Sequence, residues 1–262
     1  MRRNGLKVES GLGDITLPAV RATDNSSEVG LVDVVLVTVK SGQTDEAVEL
    51  TKPMMGKNTA VITLQNGVEN EHRLVEKLGE GNVLGGVAYI LSLIKAPGLI
   101  QQTGPMARLE FGELDGARSR RALEFLEACE DASIEATLSD NIQQNIWKKF
   151  VFLCPHNGMT SLTRSSIGSI RDDQDCRALL ERAVNEVLLL AGAKGISVGL
   201  NGSSEVMKLY DSMPHAMTSS MHYDVMNNKP LELEWLNGAV VRLGKEAGVP
   251  TPVNSFIYAA LK

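Results

Sequence analysis

Val32-Asp33-Val34-Val35-Leu36-Val37-Thr38-Val39, followed at once by Lys40-Ser41-Gly42-Gln43-Thr44, decides the fold class. A near-continuous β-branched run is the mark of a parallel strand covered on both faces. The polar, glycine-containing turn after it leads into a helical pattern from about Asp45 to Met55, which is the strand–turn–helix order of an α/β protein. The pattern recurs downstream. Thr59 to Leu64 is a second strand, ended by Gln65-Asn66-Gly67. Asn82 to Ile94, Gly98 to Gln102 and Arg108 to Leu114 read as further strands, and Ser119 to Ala128 as a helix. Upstream, Gly5–Ser10 and Ile15–Pro18 flank a Gly11-Leu12-Gly13-Asp14 turn and predict a hairpin.

From Ser139 the texture changes. Ser139-Asp140-Asn141 supplies helix-capping chemistry, and a helical pattern runs through Trp147 until Pro155, where it is expected to end, kink or restart. Asp172-Asp173 opens a helix to about Lys194, acidic at its start as the dipole prefers. Ser203 to Asp211 is short and helical, and Leu233, Leu236, Val240, Val241 and Leu243 form a last apolar pattern closed by Gly244 and Gly248. Nothing after Ser139 reads as strand. The chain is therefore expected to be an α/β half, residues 1–138, joined to an all-helical half, residues 139–262.

Composition narrows the function classes. The 262 residues are 43% hydrophobic and 22% charged, an ordinary globular balance with enough chain to bury a core unaided. The formal charge of −6 lies in the first half, where 14 Lys/Arg face 20 Asp/Glu up to Thr137, against 12 and 12 afterwards. No basic cluster offers a nucleic-acid face, and no apolar run approaches the roughly 20 residues of a membrane span. Cys129, Cys154 and Cys176 are odd in number and without CxxC spacing, which argues against a disulfide scaffold or zinc ribbon and for a reducing cytoplasm. A small-molecule partner fits best.

Open α/β sheets bind ligands beyond the carboxyl ends of their strands. That places Lys40, Gln43 and Asn66 as candidates, although each is equally a plain polar turn residue. Gly11-Leu12-Gly13 and Gly79-Glu80-Gly81 each lack the third glycine and following helix of a dinucleotide-binding turn. Lys149, Leu153 and Asn157 follow at four-residue steps and share one helix face, drifting about 40° per step. An ammonium on that apolar face can donate a proton or steady an oxyanion, or its stem can simply cover Trp147 or Phe150. Glu232 and Glu234, and the hydroxyls of Ser219 and Ser220, are open to both substrate-binding and helix-start readings. His72, His156, His215 and His222 show no metal-ligand spacing, and no Gly-x-Ser-x-Gly elbow is present.

Together these pieces resemble the ketopantoate reductase (2-dehydropantoate 2-reductase) family of the 6-phosphogluconate dehydrogenase-like superfamily. The stretches that carry the resemblance are Arg3–Leu6, Val37–Lys40 with Gln43-Thr44, Leu64–Asn70, Asn145–Lys149, Ser219–Met221, Glu232–Gly238 and Gly248–Asn254. They span the chain in the family's order and spacing.

The resemblance implies a Rossmann-like NADPH-binding domain, a helical substrate domain and a cleft between them. It implies Lys149 as the general acid at the ketone oxygen and Glu232 as the partner of the substrate hydroxyl. Asn157 and Ser220 fall on substrate positions, Asn66 on a position between substrate and cofactor, and Lys40 and Gln43 beside the cofactor. The partner implied is a 2-keto acid, with a homodimer as a compatible assembly. Two departures shape the expectation. The family's glycine-rich first strand–helix–strand has no counterpart here, so the Rossmann-like domain is expected to be incomplete at its N-terminus. Leu153 stands where the family carries asparagine, which points toward a related 2-keto acid. A non-catalytic homologue serving as a dimerisation or binding module is the competing expectation.

Overall fold

The computed structural model describes residues 1–262. The chain forms two compact units. One comprises Met1–Thr38, Asp45–Gln65 and Leu74–Ile142; the other comprises Val39–Thr44, Asn66–Arg73 and Gln143–Lys262.

In the first unit the hairpin forms, β1 (Leu6–Ser10) lying antiparallel to β2 (Ile15–Leu17) with Leu6 opposite Leu17 and Val8 opposite Ile15. Then come β3 (Val32–Val37), α1 (Thr44–Thr51), β4 (Met55–Thr63), α2 (Asn70–Leu78), β5 (Val83–Ala96), β6 (Leu99–Glu113), α3 (Arg120–Asp131) and β7 (Glu135–Leu138). They build a mixed sheet in the order β2-β1-β6-β5-β4-β3, with β7 also paired to β6. The parallel pairs are β3–β4, β4–β5, β1–β6 and β6–β7, and the long β5–β6 hairpin is antiparallel. Two expected strands, Gly98–Gln102 and Arg108–Leu114, are thus one continuous β6.

The two-residue alternation of a strand explains the layering. Along β4, Ala60 and Ile62 face a cluster with Phe111, Ala122 and Cys129, which seats α3 on one side. Val61, between them, faces Val37, Val48, Leu74 and Val83, which seats α1 and α2 on the other. The expectation that β3 is covered on both faces holds in part, with Val34 packed on the first cluster and Val35 and Val37 on the second. β3 ends the sheet, and Leu36 is 45% exposed. A β-branched run reports strand propensity and cannot distinguish a central from an edge position.

The helical unit contains α4 (Ile142–Thr163, its first residue counted with the sheet unit), α5 (Ile167–Asp172), α6 (Gln174–Ala193), α7 (Ser203–Ser212), α8 (Ser220–Met226), α9 (Asn237–Ala247) and α10 (Pro252–Leu261). Helix α6 is its central member, with Leu180, Ala183, Val184, Val187 and Leu190 fully buried. Pro155 does not stop α4, which stays helical over 22 residues. A mid-helix proline costs on the order of 3 kcal/mol. Burial of Val151, Cys154 and Met159 on either side of it offsets that cost. Gly158 permits close packing here, since a Cβ would lie 2.7 Å from Asn237 Nδ2. No helix is long and apolar enough to cross a membrane.

Candidate active site

Two polar turns contribute to the helical unit. After β3 the chain makes a tight turn over Ser41–Gln43, in which the Gln43 N–H donates to Lys40 O at 2.8 Å and Thr44 Oγ1 donates to Ser41 O at 2.9 Å. Arg73 also donates to Ser41 O at 2.9 Å, while its guanidinium lies 4.1 Å from the centroid of the Trp235 ring. After β4, Asn66-Gly67 turns the chain, and Asn70 Nδ2 donates to Asn66 O at 2.9 Å. Gly67 has φ +117°, and a Cβ there would meet Asn70 Nδ2 and Trp235 O at 3.3 Å each. Only glycine adopts this backbone at no cost.

These turns meet α4. The Lys149 ammonium donates to Asn66 Oδ1 at 2.8 Å. Burial disfavours its charge, the nearby Glu232 carboxylate resists that, and the net effect lowers its pKa to about 8. Glu232 is itself buried. Its Oε1 accepts from the Ser41 N–H at 3.3 Å and from Ser41 Oγ at 3.4 Å, and its Oε2 lies 3.3 Å from Lys40 Nζ. Lys40 reaches Asp224 as well, at 3.0 Å. Burial opposes the Lys40 charge, but the two carboxylates outweigh it and raise its pKa.

Asn157, fully buried two turns beyond Lys149, joins α4 to α8. Its Nδ2 donates to Leu153 O at 2.8 Å, and its Oδ1 accepts from the Met221 N–H at 3.1 Å and Ser220 Oγ at 3.4 Å. Ser219 caps α8, accepting from the His222 N–H at 3.0 Å and sharing a 2.7 Å hydroxyl contact with Thr160. Ser220 is exposed, as is Gln43.

Residues 1–116 match the family model described as "Ketopantoate reductase PanE/ApbA", and residues 141–262 match "Ketopantoate reductase PanE/ApbA C terminal". The chain belongs to the ketopantoate reductase family. Among similar proteins, the 2-dehydropantoate 2-reductase of Aquifex aeolicus is 29% identical over 267 residues, covering 99% of this chain and 85% of that protein. An uncharacterized oxidoreductase of Bacillus subtilis is 26% identical, covering 100% and 86%. The crystal structure of 2-dehydropantoate 2-reductase from Geobacter metallireducens superposes with a TM-score of 0.92 at 28% identity, covering 100% and 87%. A Rossmann-like mixed-sheet domain followed by a helical domain is the architecture shared with that ketopantoate reductase.

Within this ketopantoate reductase fold, Lys40, Asn66, Lys149 and Glu232 converge directly, and Asn157 with Ser220 forms the adjoining α4–α8 contact. Gln43 contributes its backbone to the turn while its side chain stays at the surface. Sequence reasoning missed three residues that hold the group together: Ser41, Arg73 and Asp224. Ser41 stands beside Lys40 in a turn already singled out. Asp224 carries no local signal, being 184 residues from the lysine it pairs with.

Proposed function

We propose that this oxidoreductase reduces the keto group of 2-dehydropantoate (ketopantoate) with NADPH, giving pantoate for pantothenate synthesis. The observation that carries the reading is the Lys149 ammonium, held by Asn66 and depressed to a pKa of about 8 beside the buried Glu232. Family membership supplies the reaction class.

Lys40 and Gln43 offer an ammonium and a carboxamide with exposed side chains, a donor set that suits the ribose hydroxyls and carboxamide of a nicotinamide nucleotide. Gly11 and Gly13 lie in the β1–β2 turn, and the turn over Glu80–Asn82 that follows Gly79 leads straight into β5, so neither pair suits a pyrophosphate. When bound, the cofactor supplies hydride to the ketone carbon.

The chain's own residues do the rest. Ketone reduction builds negative charge on oxygen, so an ammonium placed there stabilises the transition state more than the ground state. Lys149 Nζ delivers its proton to that oxygen, and Asn66 fixes the direction of the ammonium. Glu232 accepts the substrate's hydroxyl. Ser220, exposed at the start of α8 and placed by its contact with the buried Asn157, meets the substrate's carboxylate. Lys40, shared between Asp224 and Glu232, keeps the buried carboxylate paired until substrate arrives.

The proposal assigns residues 1–138 to cofactor binding and 139–262 to substrate binding. The free thiols of Cys129, Cys154 and Cys176 suit a cytoplasmic setting, and a homodimer is the assembly to test by light scattering. Leu153 favours a second reading, a related 2-keto acid with an apolar group where ketopantoate carries its hydroxyl. Titrating NADPH and NADH while following energy transfer from Trp147 and Trp235, then adding each 2-keto acid, tests these readings. Saturable NADPH binding and ketopantoate-dependent oxidation support the first; a folded chain that binds neither nucleotide contradicts both.

A further inference from the structure

We propose that Ser41 is a positioning residue that aims the Glu232 carboxylate at the hydroxyl of the substrate. The inference deepens the reading of Glu232 given above and rests on it. Ser41 is fully buried and lies in the turn between β3 and α1. It presents two donors to one oxygen of Glu232: its backbone N–H at 3.3 Å and its hydroxyl at 3.4 Å, both to Oε1.

A carboxylate oxygen has two lone-pair directions, so this pair of donors fills Oε1 and fixes the carboxylate plane. The other oxygen, Oε2, receives Lys40 Nζ at 3.3 Å and keeps one direction open. An incoming hydroxyl has that single approach. Without the Ser41 hydroxyl, Oε1 regains a free lone pair and the carboxylate can rotate, which blurs the direction in which a hydroxyl is bound.

The same hydroxyl lies 3.3 Å from Asn66 O, on the residue whose side chain receives Lys149, and its single proton goes to the charged carboxylate, the stronger of the two acceptors. Ser41 therefore stands between the hydroxyl-binding carboxylate and the proton-donating ammonium, and sets their spacing. Its own place is fixed from behind, because Arg73 donates to Ser41 O at 2.9 Å while stacked on Trp235. The backbone donor survives any substitution at position 41 except proline, so the hydroxyl's share can be isolated by removing one oxygen atom.

The test compares two substrates that differ only in the hydroxyl: ketopantoate and its deoxy analogue, 3,3-dimethyl-2-oxobutanoate. In Ser41→Ala the ratio of KM for ketopantoate to KM for the analogue should rise about 5- to 10-fold, the weight of one weakened hydrogen bond to a charged group. The kcat ratio should move less than about 3-fold. Ser41→Thr, which keeps the hydroxyl, should restore the wild-type ratio. In a Glu232→Ala background, adding Ser41→Ala should change the ratio no further.

Equal losses for both substrates would mark Ser41 as merely structural and overturn the proposal. So would a wild-type ratio in Ser41→Ala while Glu232→Ala abolishes the preference for the hydroxyl; that pattern leaves the Glu232 reading intact. A wild-type chain with no preference for the hydroxyl, in turnover or in calorimetric binding, overturns the Glu232 reading and the Ser41 proposal with it.

Discussion

The Lys149 ammonium and the Asn66 side chain, 83 residues apart in sequence, meet at 2.8 Å. Asn66 accepts that hydrogen bond with a neutral carbonyl, so it directs the ammonium without stabilising its charge as a carboxylate would. Burial outweighs the opposing Glu232 carboxylate, and the pKa falls to about 8. A general acid must carry its proton. The kcat/KM of the free enzyme should therefore fall as pH rises through about 8, and a flat profile across that region would remove Lys149 from the proton transfer.

The same depression has a sign for stability. Folded chain releases the Lys149 proton near pH 8, whereas the ordinary value is 10.5. Between those values the unfolded state binds more protons, so stability from this group rises with pH across the window. At neutral pH the penalty is present in full. Lys149→Met should abolish turnover yet raise stability at pH 7 by about 1–3 kcal/mol, seen as a Tm several degrees higher. A lower Tm would show that the ammonium is better solvated than its setting implies.

Glu186 fastens the C-terminal helix. Its oxygens accept from the Val253 N–H at 2.8 Å, the Asn254 N–H at 2.9 Å and Asn254 Nδ2 at 2.7 Å. Glu186→Ala would strip the Val253 and Asn254 N–H groups at the start of α10 of their charged acceptor, while Asn254 Nδ2 keeps Ala183 O at 3.2 Å, and should cost about 3 kcal/mol in urea unfolding. Glu186→Gln should also destabilise, because its amide would point N–H toward N–H. Two variants as stable as wild type would refute this role.

His156 is a buried imidazole whose Nε2 has no hydrogen-bond partner, stacked on Phe152 at 5.9 Å between centroids. Burial and the proximity of His222 lower its pKa to about 4 from 6.5. The unfolded chain takes up a proton across that window and the folded chain does not, so stability should fall as pH drops from 6.5 toward 4. The total is on the order of 3 kcal/mol. His156→Phe should flatten this part of the profile, as measured by unfolding at a series of pH values.

Leu153 shares a helix face with Lys149 and Asn157 and is partly buried against the helical core. If it sets substrate preference, Leu153→Asn should raise kcat/KM for ketopantoate about 10-fold relative to its deoxy analogue, since an amide can meet the hydroxyl. Unchanged discrimination would show that the substrate does not reach this turn of α4.

Much of this was legible in the sequence, for identifiable reasons. The β-branched run at Val32–Val39 and the turns after it announced a parallel sheet and the ends of its strands. The four-residue steps Lys149, Leu153, Asn157 announced a shared helix face. The exposure of Leu36 was not legible, because strand propensity says nothing about neighbours in the sheet. Nor was the continuity of α4 through Pro155, where tertiary packing overrides a local rule. Ser41 meeting Glu232 across 191 residues is a product of topology alone, and no window of sequence contains it.

The proposed ketone reduction depends on Lys149 as its proton donor. Its most direct test is the single-turnover rate of NADPH oxidation by ketopantoate in the wild type and in Lys149→Ala, with folding verified by circular dichroism. Saturable oxidation by the wild type and a loss of at least about 100-fold in the variant are expected. Partial recovery on adding a small primary amine would accord with the missing ammonium. A folded Lys149→Ala that oxidises NADPH at the wild-type rate would contradict it.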